Sequence, residues 1–170
     1  LSRYRKNDGG EVMANGSLNY TVKGICIGIK VTWHYTPPTN GGDTFTSIKK
    51  GSKATLKIVQ DEKNGFVKEL YIQKEPDIDN RTFEAQLQKT VEQLQITYPF
   101  LSVKNKKNGT YLIDIPQEKR LGHEEHFSKV AKAFLHYVHN QDMPEWENEN
   151  TLAKYYITTT AVEMAKKGNK

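Results

Sequence analysis

From position 25 to position 35 every odd residue is apolar: Ile25, Ile27, Ile29, Val31, Trp33 and Tyr35. The residues between them, Cys26, Gly28, Lys30, Thr32 and His34, are small or polar. A period of two belongs to a β-strand with unlike faces. Burying one large apolar side chain is worth roughly 1.5–3 kcal/mol, and a one-residue slip would move Trp33 and its companions to the opposite face, so the alternation pins the register. The expectation is that the odd face makes a core. The even face, with Lys30, Thr32 and His34 in a row, is left for a substrate or another subunit.

Further strand signals occupy residues 18–23, 44–49, 54–60 and 67–73, separated by Gly24, Pro37-Pro38-Thr39-Asn40-Gly41-Gly42, Gly51-Ser52 and Asp61-Glu62-Lys63-Asn64-Gly65. Short connectors of this kind join antiparallel neighbours. The period then changes. Phe83, Leu87, Val91, Leu94 and Tyr98 follow helical spacing after Asp79-Asn80, which can cap a helix. A strand over residues 111–115 follows the Asn108-Gly109 turn, and two more helices close the chain, one with Phe127, Val130, Phe134 and Val138 on a stripe, the other over residues 148–165. Strands first and helices later is the order of an α+β domain: an open, largely antiparallel sheet with helices packed on one face. Residues 1–17 read as a poorly structured lead-in to this single domain.

The chain has 170 residues, enough to bury a core without disulfides or structural metal. Its one cysteine, Cys26, allows no intrachain disulfide and leaves the redox compartment open. No apolar run reaches the roughly 18 residues of a membrane span, and the first residues lack the hydrophobic region of a signal peptide. Cytoplasm and bacterial periplasm are not distinguished. The net charge of +5 is spread among 20 acids, with its densest cluster at Lys104-Asn105-Lys106-Lys107. A solvated surface accounts for this better than a nucleic-acid interface. Opening on Leu1, without an initiator Met, the sequence reads as a piece of something longer.

Three segments, in order, resemble the C-terminal domain of the glucose-fructose oxidoreductase, inositol dehydrogenase and MocA family, and more closely its branch of putative oxidoreductase C-terminal domains. The first runs from Tyr20-Thr21-Val22-Lys23-Gly24 through the long strand to Gly41-Gly42-Asp43-Thr44. The second is the hairpin Ile48-Lys49-Lys50-Gly51-Ser52-Lys53-Ala54-Thr55-Leu56-Lys57-Ile58. The third is a closing pair of helices, from His126-Phe127 through Asp142-Met143-Pro144 to Gly168. The resemblance implies a dihydrodipicolinate-reductase-like C-terminal domain in a two-domain dehydrogenase. There a Rossmann domain holds NAD or NADP, and this domain supplies substrate contacts and a sheet face for oligomer formation. The missing partners implied are that Rossmann domain, a second copy of the chain and a sugar-like substrate. The family's catalytic lysine lies in a Glu-Lys-Pro motif on the Rossmann domain. Lys74-Glu75-Pro76 here follows a sheet strand, and the role is not transferred to it. The family's assisting histidine and aspartate would precede residue 1, and the histidine the branch places near Phe45 is absent. No catalytic, cofactor-binding or metal-ligating residue is therefore assigned to this chain. Gly41-Gly42-Asp43 leads into a strand instead of a helix, so it offers no N-terminus to a pyrophosphate.

The remaining constellations have ordinary readings beside functional ones. His123 and His126, like His136 and His139, are three apart instead of the four of a zinc helix, and the two pairs are separated by roughly 15 Å of helix. Asp43 and Thr44, after the diglycine turn, offer a carboxylate and a hydroxyl to a sugar, although Asp commonly bonds its own backbone in such loops. Sequons at Asn15, Asn19, Asn80 and Asn108 are what Asn-rich turns generate. Three functions remain. The first is the substrate-binding and oligomerisation domain of an NAD(P)-dependent oxidoreductase acting on a sugar or polyol, inactive alone. The second is a non-catalytic binding or assembly module that uses the open sheet face. The third is a ligand-binding cone in which a curved sheet wraps a helix, which two closing helices fit less well than one.

Overall fold

The computed structural model describes residues 2–5, 11–33, 35–39 and 41–168. The fold is α+β, with two antiparallel sheets and three helices. The chain divides into two compact units, Leu1–Thr36 with Lys129–Lys170, and Pro37–Ser128.

In the first unit, β1 (Ser2–Arg5), β2 (Glu11–Val22) and β3 (Ile25–Val31) form a three-stranded antiparallel sheet. Residues read as a lead-in are strand instead. Residues 11–17 have no clear alternation, but β2 pairs with β1 at Arg5↔Glu11 and with β3 at Gly16↔Val31, and neighbours on both sides supply the order that local pattern lacks. The turn between β2 and β3 has φ of 48° at Lys23 and 80° at Gly24. Two consecutive left-handed residues match the twist of a two-residue hairpin, and Gly24 adopts its angle without a Cβ penalty. Register places Leu18, Tyr20 and Val22 opposite Ile29, Ile27 and Ile25, so the alternation seen in the sequence becomes one continuous apolar face.

That face is not a core in this chain, which corrects the first expectation. Ile25 is 67% exposed and Trp33 73%, and β3 ends at Val31, short of residue 35. Alternation states which residues share a face; it does not supply a cover. The helices α2 (His123–Asn140) and α3 (Glu145–Gly168) also expose apolar residues, among them Phe127, Phe134, Leu152 and Tyr156.

The buried core lies in the second unit. Its five-stranded antiparallel sheet has the order β4 (Phe45–Lys50), β5 (Ala54–Gln60), β6 (Glu69–Lys74), β8 (Thr110–Asp114), β7 (Ser102–Asn105). Leu70 and Ile72 pair with Ile113 and Tyr111, making one face apolar. The helix α1 (Asn80–Gln95) covers it: Phe83 lies 5.6 Å from the Tyr111 ring, centroid to centroid, and Val91 is buried. Asp79 caps α1 by accepting from the Thr82 N–H at 2.8 Å, and this bond holds its carboxyl below the usual range. The strand β7 escaped sequence reading because Ser-Val-Lys-Asn offers one apolar residue.

The opposite face is polar and ties itself together. Thr110 donates to Gln73 at 2.6 Å, Thr55 donates to Glu75 at 2.9 Å, and Lys104 pairs with Asp114 at 2.6 Å. On this face the Tyr71 hydroxyl donates to Glu69, which, with burial and the charges of Glu69 and Asp61, pushes its pKa from 10.0 up to about 12. The stabilisation from holding this phenol protonated is complete below pH 10 and is lost as pH rises through about 12. In an ultraviolet titration compared with Tyr71→Phe, Tyr71 therefore ionises late, and Glu69→Gln returns it toward the ordinary value. Ionisation of Tyr71 together with the other tyrosines would contradict the assignment.

Candidate functional site

Where β6 runs out toward α1, the β7–β8 turn folds beside it, and the two border an open cleft of about 660 Å³. Two backbone-directed bonds shape this end of the sheet. The Lys74 N–H donates to the Gly109 carbonyl at 2.8 Å, and Gln73 Nε2 donates to the Asn108 carbonyl at 3.1 Å. The turn itself is held in the left-handed region at Lys107, Asn108 and Gly109, with φ of 75°, 49° and 70°. Only glycine adopts that region freely, so the first two residues are maintained there at a cost. The ring of bonds from Lys106 N–H to Thr110 O and from Thr110 N–H to Lys107 O keeps the turn closed.

Glu84, on the first turns of α1, supplies the carboxylate of the cleft. Its Oε1 accepts from the Tyr111 hydroxyl at 2.9 Å and from Asn105 Nδ2 at 3.2 Å. Burial, then the bond to Glu84 and its charge, raise the pKa of Tyr111, so the phenol remains a proton donor at neutral pH. Asn80, Lys107 and Asn108 complete a lining of amides and one ammonium group. Lys74 also borders the cleft, yet its Nζ is committed: it donates to the carbonyls of Glu75 at 3.0 Å, Pro76 at 3.4 Å and Ile78. In Lys74-Glu75-Pro76 the lysine is thus a clamp between β6 and α1. A carboxylate flanked by planar amides and a tyrosine suits a small neutral molecule with several hydroxyl groups, each of which can donate to one group and accept from another.

The residues singled out from sequence lie elsewhere and are not brought to this cleft. Lys30 and Thr32 are exposed in the first unit, Thr32 just beyond the end of β3. His34 lies outside the described residues. Asp43 and Thr44 are exposed in the second unit, before β4, and the Asp43 carbonyl accepts from Gln60 Nε2 at 3.0 Å. Among the described residues no three His, Cys, Asp or Glu side chains come together to hold a metal ion. His123 stacks against Phe127, and His136 meets Asp142 at 3.1 Å. No described segment has the strand, glycine-rich loop and helix that a dinucleotide requires, since Gly41-Gly42 precedes β4, and the residues present do not fit that cofactor. No described helix is long and apolar enough to cross a membrane. Glu84, Asn105 and Tyr111 were missed because 21 and 27 residues separate Glu84 from its two partners, and no local pattern marks them.

Comparison with known proteins places this geometry in context. The family model described as Putative oxidoreductase C terminal domain matches residues 1–166. The crystal structure of a putative oxidoreductase from Parabacteroides merdae is similar to the chain, with a TM-score of 0.87 and 38% identity. The match covers 95% of this chain and 37% of that one, so the chain spans little more than a third of the solved relative. No curated protein matches the sequence.

Proposed function

Because the chain belongs to the Putative oxidoreductase C terminal domain family and is thereby a domain of an oxidoreductase, we propose that it is the substrate-binding and oligomerisation domain of a longer, two-domain enzyme. That enzyme transfers a hydride between NAD or NADP and a sugar or polyol, and belongs to the glucose-fructose oxidoreductase, inositol dehydrogenase and MocA group. The dinucleotide is held by an amino-terminal Rossmann domain, and this chain alone is inactive. The observation that carries the reading is the family match across residues 1–166, together with a solved relative of which the chain spans 37%. The polar cleft supports the substrate class. Glu84 accepts a substrate hydroxyl, while Tyr111 and Asn105 keep the carboxylate oriented. The polar row of Lys30, Thr32 and His34 faces another subunit.

Titration calorimetry of the natural protein with NAD and NADP, followed by turnover on a panel of aldoses and polyols, tests the proposal. Dinucleotide binding and reduction by at least one polyhydroxylated substrate are expected. In that assay Glu84→Ala raises KM about tenfold with little change in kcat, the mark of lost uniform binding. A protein that binds neither dinucleotide would end the enzyme reading, and an unchanged KM would remove the cleft from it.

A further inference from the structure

The β2–β3 hairpin carries an apolar face that nothing in the described chain buries. Val22, Ile25, Ile29 and Val31 are all exposed on it, with Leu18, Tyr20 and Ile27 half-buried between them. The other face is small and polar, with Ser17, Asn19 and Thr21 opposite Lys30, Gly28 and Cys26. A three-stranded sheet gains independent stability only by covering its hydrophobic side, and a contiguous exposed patch of this kind marks an interaction surface.

We infer that the apolar face of this hairpin is the seat of the amino-terminal part of the same, longer polypeptide. The inference rests on the family reading. A relative with TM-score 0.87 keeps this architecture over 95% of the chain, while 63% of its own chain lies outside the match, which is ample material to cover one hairpin face. In a C-terminal domain that material joins at the amino end, and β2 begins at Glu11, so the cover is tethered close to the face it meets. A short tether gives an effective concentration of the order of millimolar, which a second copy at cellular concentrations does not match. The occupant presents an apolar surface of its own, because a polar one would lose its hydration without compensation.

Cysteine labelling in the natural protein tests this. In a Cys26→Ser background, single variants Ile25→Cys and Ile29→Cys report the apolar face, and Lys23→Cys in the hairpin turn is the exposed reference. Maleimide is expected to modify positions 25 and 29 at least about tenfold more slowly than position 23, since reaction there requires local opening, and the ratio should not change on dilution. Equal rates at the three positions would overturn the inference. Protection that disappears on dilution, in step with dissociation seen by sedimentation, would assign the face to a second copy and overturn it as well. If Ile25→Cys does not fold, Val22→Cys reports the same face from the paired strand. Dinucleotide titration of the same samples separates the two readings: protected residues in a protein that binds no dinucleotide would leave the docking standing and the enzyme proposal refuted.

Discussion

Replacing Tyr111 by Ala should lower unfolding stability by about 3–5 kcal/mol, the range for removing a large aromatic ring from a core. Tyr111 is only 4% exposed, faces Phe83 across the sheet–helix interface, and stands beside Leu112 and Ile113, the other buried residues of β8. Its loss opens a cavity under the first turns of α1, where Glu84 is positioned. Tyr111→Phe keeps the ring and removes only the donor at 2.9 Å from Glu84, so it should cost about 1 kcal/mol. Urea unfolding of both variants separates packing from hydrogen bonding. Similar losses for the two would show that the hydroxyl, and not the ring, secures the helix.

Lys74→Met should cost about 3 kcal/mol in the same measurement, because it strands acceptors that one buried ammonium now satisfies. Lys74 is 9% exposed, and its Nζ gathers the carbonyls of Glu75, Pro76 and Ile78, closing the connection from β6 to α1. Methionine matches its volume but donates nothing. Lys74→Arg should rescue little, since a planar guanidinium does not present its donors to three carbonyls as a rotating ammonium does. Near-wild-type stability for Lys74→Met would mean that those carbonyls find other partners. The clamp also sets one wall of the cleft, so the variant should weaken substrate binding along with the fold.

The elements most legible in the sequence were those whose pattern repeats at one period. The helix α1 appeared with its Asp79 cap and its Phe83, Leu87 and Val91 stripe, and the β4–β5 hairpin appeared around Gly51-Ser52. The edge strand β7 did not, because an edge needs only one apolar side chain. The early start of β2 was hidden for a related reason: pairing on both sides made residues 11–17 a strand without any alternation.

Chemistry was harder to read than architecture. Lys30, Thr32, Asp43 and Thr44 stood out because their neighbours in sequence made them conspicuous, whereas Glu84, Asn105 and Tyr111 meet only after α1 lies down on the sheet. A pattern can show that Lys74-Glu75-Pro76 follows a strand, but the commitment of its ammonium to three carbonyls is a property of the turn that it closes.

By itself the sequence determined which residues share a face and in what register, since side chains alternate along a strand and recur every 3.6 residues along a helix wherever the chain goes. The tertiary structure alone decided what each face meets. The Tyr111 face is buried under α1, and the longer alternation of Ile25, Ile27 and Ile29 is left uncovered, because burial depends on a second surface that local periodicity does not encode.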